Sequence, residues 1–195
     1  MAYVSKSGRS RARATLAPSL VCALLTTLGA SCALPTTSAG ATHAAARAKR
    51  AVEVTSLLRS RLLWATIDIC NPADQPNTVG IRGSMPGDHL THDTMYMRFR
   101  LQYMNAATKT WTDLSKASAS YAAVGSGSSA RQAGRSFQLN PIAGQPPFTL
   151  RGVVNFQWRH GSAVIAQASR TTSTDRQSLA GSDPAGFSAA TCPIG

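Results

Sequence analysis

Residues 95–104 alternate without a break. Met95, Met97, Phe99, Leu101 and Tyr103 fall on one side, and Tyr96, Arg98, Arg100, Gln102 and Met104 on the other. Successive side chains of a strand point to opposite faces, so ten residues of period two specify a strand with one buried face. Residues 148–159 repeat the pattern: Phe148, Leu150, Gly152, Val154, Phe156 and Trp158 oppose Thr149, Arg151, Val153, Asn155, Gln157 and Arg159. A break at His160-Gly161-Ser162, followed by Val164 and Ile165, predicts a hairpin. Residues 62–70 alternate as well, and 79–85, 111–114, 120–124 and 136–139 are shorter candidate strands. Asn71-Pro72, Pro76-Asn77, Pro86-Gly87-Asp88, the Gly/Ser run 125–129 and residues 140–147 supply the turns. Seven to eight strands, with no convincing amphipathic helix, predict an all-β fold: a single antiparallel β-sandwich of immunoglobulin-like architecture.

Upstream of these strands the chain reads as a leader. Lys6, Arg9, Arg11 and Arg13 precede an apolar stretch over residues 16–28, then small residues and Pro35. That order is the one a secretory signal peptide shows, and the apolar stretch is too short to span a bilayer. Residues 1–41 are therefore read as a signal peptide, cleaved after Ala33 or Ala41. Cys32 invites a lipid-attachment reading, although Gly29 stands where such sites carry an aliphatic residue. Residues 42–57, with Arg47, Lys49 and Arg50, read as a flexible or weakly helical basic arm, and 58–195 as the sandwich. Only Cys70 and Cys192 then remain, and neither has a His or a second Cys nearby. An even pair without metal-ligand spacing, in an exported chain, predicts a disulfide.

Three stretches carry a likeness. Ile81-Arg82-Gly83-Ser84-Met85-Pro86-Gly87, the strand from Met95 to Tyr103, and Leu150-Arg151-Gly152-Val153-Val154 with Trp158-Arg159 resemble secreted proteins of soil actinobacteria. Ser188-Ala189-Ala190-Thr191-Cys192 fits the same likeness. The resemblance implies a secreted, immunoglobulin-like β domain and brings no functional residues to carry over.

Charge narrows the chemistry further. The net charge is +12, but the leader holds four cations and no acid, and from Leu62 onward 11 basic residues face 7 acidic ones. A domain so mildly basic lacks the dense Lys/Arg clustering of a nucleic-acid binder, and no nucleic-acid partner is expected. The metal candidate is the loop Asp88-His89-Leu90-Thr91-His92-Asp93, where His89, His92 and Asp93 could converge on a zinc-like ion. A loop can bring them together, whereas a strand would throw the two histidines to opposite faces. A Ser–His–Asp set would have to recruit His160 and Asp175, and no Gly-x-Ser-x-Gly elbow is present. One Glu and seven Asp beyond the leader give little to a glycosidase.

The polar faces of the two long strands are the binding candidate. Arg98, Arg100, Arg151 and Arg159, with Tyr96, point the same way if both strands share a sheet. Guanidinium groups in such an array suit carboxylate or phosphate. The expected function is a secreted, non-enzymatic β-sandwich module without a cofactor, acting on an anionic cell-wall polymer or an extracellular protein. The alternative is a metal-dependent hydrolase using the His89/His92/Asp93 loop.

Overall fold

The computed structural model describes residues 39–174 and 179–195; Cys22, Cys32, the Ala33 cleavage position and Asp175 lie outside them. Among the described residues, nine strands follow one helix. Helix α1 (Ala39–Arg59) leads into β1 (Trp64–Cys70), β2 (Thr78–Met85) and β3 (Asp93–Asn105). Then come β4 (Thr110–Ser118), β5 (Ala122–Ser126), β6 (Arg131–Gln138), β7 (Phe148–His160), β8 (Ala163–Thr171) and β9 (Cys192–Ile194). One sheet has the order β1-β2-β6. The other runs β4-β3-β7-β8, with β5 also pairing β3 and β9 pairing β7. All named pairings are antiparallel.

The core lies between the sheets, and the alternation explains it. Met95, Met97, Phe99 and Leu101 of β3 and Leu150, Val154, Phe156 and Trp158 of β7 are buried together with Ile67, Val79, Ile81 and Met85. Gly152 and Gly83 let the layers approach: a Cβ at Gly152 would lie 2.6 Å from Thr172 and 2.8 Å from Ile81. In β1 the register shifts between Ile67 and Ile69, which ends the expected run of inward residues at Ile67. The edge of β1 is covered by the segment that returns to β9, through an antiparallel bridge from Ile67 to Ala189. Cys70 and Cys192 form the expected disulfide, with Cα atoms 5.6 Å apart across 122 residues of chain. It joins the end of β1 in one sheet to β9 in the other.

Two expectations change. The basic arm of residues 42–57 is a regular helix, and the cleavage position after Ala41 falls in its first turn. Its Ala-rich composition has high helix propensity, and its apolar residues crowd the last two turns instead of forming a stripe along its length. Leu57 enters the core, Val54 and Leu58 pack against it, and Arg170 donates to the terminal carbonyl of Leu58 at 2.7 Å. The domain therefore begins inside the arm. The ninth strand is Cys192–Ile194, three residues long and too short to register as an alternation, pinned to Phe148–Leu150 of β7. No helix of the described residues is long and apolar enough to cross a membrane.

Candidate functional site

Two arrays of polar side chains stand out, one on the outer face of the larger sheet and one at its end. On the outer face, the β3–β7 register sets Tyr96 beside Gln157, Arg98 beside Asn155, and Gln102 beside Arg151. The four arginines and Tyr96 do share a face. Each guanidinium is held. Arg98 donates from Nε to the Ala119 carbonyl at 2.9 Å and from Nη2 to Ser118 at 2.8 Å. Arg100 donates to Asn155 at 3.1 Å and pairs closely with Asp113. Arg151 donates from Nε to Gln102 at 2.8 Å and lies 4.3 Å over the ring of Trp111. Arg159 sits 4.2 Å over Tyr96 and 5.3 Å from the centre of the Tyr121 ring. Burial pulls the Arg151 guanidinium below its usual value, and the nearby Asp113 carboxylate opposes that shift.

Asp113 is the one carboxylate in contact with these cations among the described residues, so four positive charges face one negative. From Tyr96 to Gln102 the array runs ~20 Å along the strand. Trp111 therefore belongs to this surface as a platform for Arg151, whereas Trp158 is fully buried and donates from Nε1 to the Pro86 carbonyl at 2.9 Å.

The second array is built where β3 begins and β7 ends. Asp93 and His160 are opposite one another in the β3–β7 ladder, so His160 continues the inward face at the rim. Asp93 is 1% exposed, and its Oδ1 lies 2.7 Å from His160 Nδ1 and 3.5 Å from His92 Nε2. The two imidazole rings stand edge-on, 4.9 Å apart. Asp93 Oδ2 is buried with no hydrogen-bond partner among the described residues. Asp88, also buried, accepts the Leu90 N–H at 3.0 Å.

Tight backbone packing fixes this corner. Gly127 donates to the Asp93 carbonyl at 2.8 Å and accepts from the His89 N–H at 2.9 Å. A Cβ on Gly127 would meet Asp88 Oδ1 at 1.9 Å, so the Gly/Ser run forms the wall behind Asp88. A cleft of about 340 Å³ opens over the group, with Lys49, Arg50, Glu53 and Val54 of α1 along its other side. Burial raises the Asp88 pKa above the usual 3.8; the Leu90 N–H opposes the rise and Asp93 adds to it. A carboxyl raised in the fold adds stability that is complete below 3.8 and fades as pH climbs through its folded value. Asp88→Asn keeps an acceptor for Leu90 and carries no charge, so its melting temperature should fall less than the wild type's over that window. Thermal unfolding across pH in metal-free buffer tests this; parallel curves for the two proteins would count against it.

The sequence placed His89, His92 and Asp93 together, and the structure keeps only the last two. His89 takes a left-handed backbone conformation (φ 66°), is exposed, and faces a separate hollow beside Ser56 and Ala130. His160 takes its place. Its carboxylate partner is Asp93, and the alternative partner Asp175 lies outside the described residues. The signal available in the sequence was the register of the two long strands: pairing them antiparallel at full length sets His160 against Asp93.

Fold and arrays together define a disulfide-closed antiparallel β-sandwich with a cationic outer face and an imidazole–carboxylate corner. No protein-family model matches the chain, and no curated protein matches it. Among solved structures it is similar to the Pseudomonas fluorescens alkylpurine DNA glycosylase AlkC bound to DNA containing an abasic site analog. That match has 11% identity and a TM-score of 0.30, over 57% of this chain and 29% of that one. The chain thus spans under a third of the glycosylase's length, and a likeness so distant carries no argument about either fold or function.

Proposed function

We propose that this chain is an exported, non-enzymatic β-sandwich module that binds an anionic polymer at the cell exterior through the outer face of its larger sheet. The secreted actinobacterial proteins it resembles, with their immunoglobulin-like domain, suit the same role. One observation carries the reading: four guanidiniums are fixed through their Nε groups or stacked on rings, yet among the described residues only Asp113 offsets their charge. Arginines already held in place lose little freedom on binding, and their remaining donors suit phosphate or carboxylate groups spaced along a chain. The disulfide fits an oxidising compartment.

The test is retention on cell-wall sacculi that keep, or have been stripped of, their phosphodiester polymers. Binding should follow the polymer and weaken steeply with salt, because the screening length shrinks from ~10 Å at 0.1 M to ~3 Å at 1 M. Replacing both Arg98 and Arg151 by alanine should weaken it by about tenfold or more, since losing roughly 1.4 kcal/mol of interaction corresponds to that factor. Retention that ignores both salt and the double substitution would remove the outer face from the account.

A further inference from the structure

The rim of the sandwich, remote in role from the outer face, carries a separate site. We propose that His92, Asp93 and His160 bind a divalent transition-metal ion of the zinc type, with one coordination position left open toward the cleft. The donors are two imidazole nitrogens and one carboxylate oxygen, a set that suits zinc and its neighbours over calcium or magnesium, which prefer oxygen alone. One ligand atom from each residue lies within 4.8 Å of the others. Tetrahedral coordination at metal–ligand distances of ~2.0–2.1 Å needs separations of about 3.3 Å. Rotation of the two imidazoles closes that difference, because their side chains are 57% and 61% exposed.

Asp93 points to the ion independently of this spacing. It is 1% exposed, and its Oδ2 has no hydrogen-bond partner among the described residues. A buried carboxylate oxygen left unpaired is costly, and such atoms in a native protein call for an ion, a water or a function. A second buried carboxyl, that of Asp88, lines the same cleft. A cation between the imidazoles satisfies the orphan oxygen and offsets the Asp93 carboxylate. The cleft of about 340 Å³ above leaves room for water or an anionic group on the metal. An Asp–His hydrogen bond alone accounts for Oδ1 and leaves Oδ2 unexplained.

The experiment is a calorimetric titration of the purified, oxidised chain with zinc chloride, any thiols of the leader first blocked by alkylation. The expected result is one zinc per chain, with affinity lowered on the order of 100-fold or more in His160→Ala; even outer-shell changes cost 10–100-fold at such sites. His89→Ala, an exposed histidine four positions before Asp93, should stay within about twofold of the wild type, which separates a built site from loose surface histidines. His160 is exposed but is the hydrogen-bond partner of buried Asp93 Oδ1, so metal-free His160→Ala should melt somewhat below the wild type in one cooperative transition, which shows that the variant is folded before the titration. No zinc uptake, unchanged affinity in His160→Ala, or an equal loss in His89→Ala would each overturn the proposal.

Discussion

Replacing Cys70 and Cys192 together by serine is expected to destabilise the domain by about 4–5 kcal/mol. The bridge closes a loop of 122 residues, and cross-linking a loop of that length withdraws roughly this much conformational entropy from the unfolded chain. Marginal domains have ~5–15 kcal/mol in total, so the loss takes about a quarter or more of what is available. Its position sharpens the effect. Cys192 begins β9, whose three residues are paired only to β7, and Cys70 ends β1, which is in the opposite sheet. Urea denaturation should show a lower midpoint together with a steeper slope, because the uncrosslinked unfolded chain exposes more surface. A shift below ~1 kcal/mol would mean that the strands hold without the bridge.

Trp158→Ala should cost a comparable ~3–5 kcal/mol, the range for deleting a large aromatic from a packed core. Trp158 is fully buried between the sheets, opposite Met95 on β3. It also holds the Pro86 carbonyl through Nε1, and Pro86 opens the loop that carries Asp88 and His92. The substitution therefore opens a cavity and leaves a buried carbonyl without its donor. Trp158→Phe isolates the second part: it fills much of the space, loses the hydrogen bond, and should cost about 1–2 kcal/mol. If alanine and phenylalanine have equal effects on the unfolding midpoint, core filling is not what Trp158 provides.

Alternation made the long strands legible. Met95 to Tyr103 and Phe148 to Trp158 read as half-buried because a period of two runs through them, interrupted on the polar side by Val153, and the structure buries the apolar set of each, Tyr103 and Phe148 only in part. The hairpin turn at Gly161-Ser162 was visible for the same reason: residues whose backbone chemistry breaks a strand sit between two that continue it. The helix was harder to read, since Ala39–Arg59 gains its order from three residues at one end, Val54, Leu57 and Leu58, docking on a core that only the fold assembles. That His160 would meet Asp93 could not be read for a related reason. The two lie 67 residues apart and meet through ladder register, which a search for nearby ligand spacing does not see. The arginine face was the easier inference, because four guanidiniums at even spacing on two paired strands must point one way.

The proposed role at the cell exterior requires that the polypeptide be exported and form its Cys70–Cys192 bridge outside the cytoplasm. Mass-spectrometric mapping of peptides from the protein recovered outside the cell, without reductant, asks this most directly. It should yield one cross-linked pair containing Cys70 and Cys192; two alkylatable sulfhydryls at those positions, or no protein outside the cell at all, would contradict it.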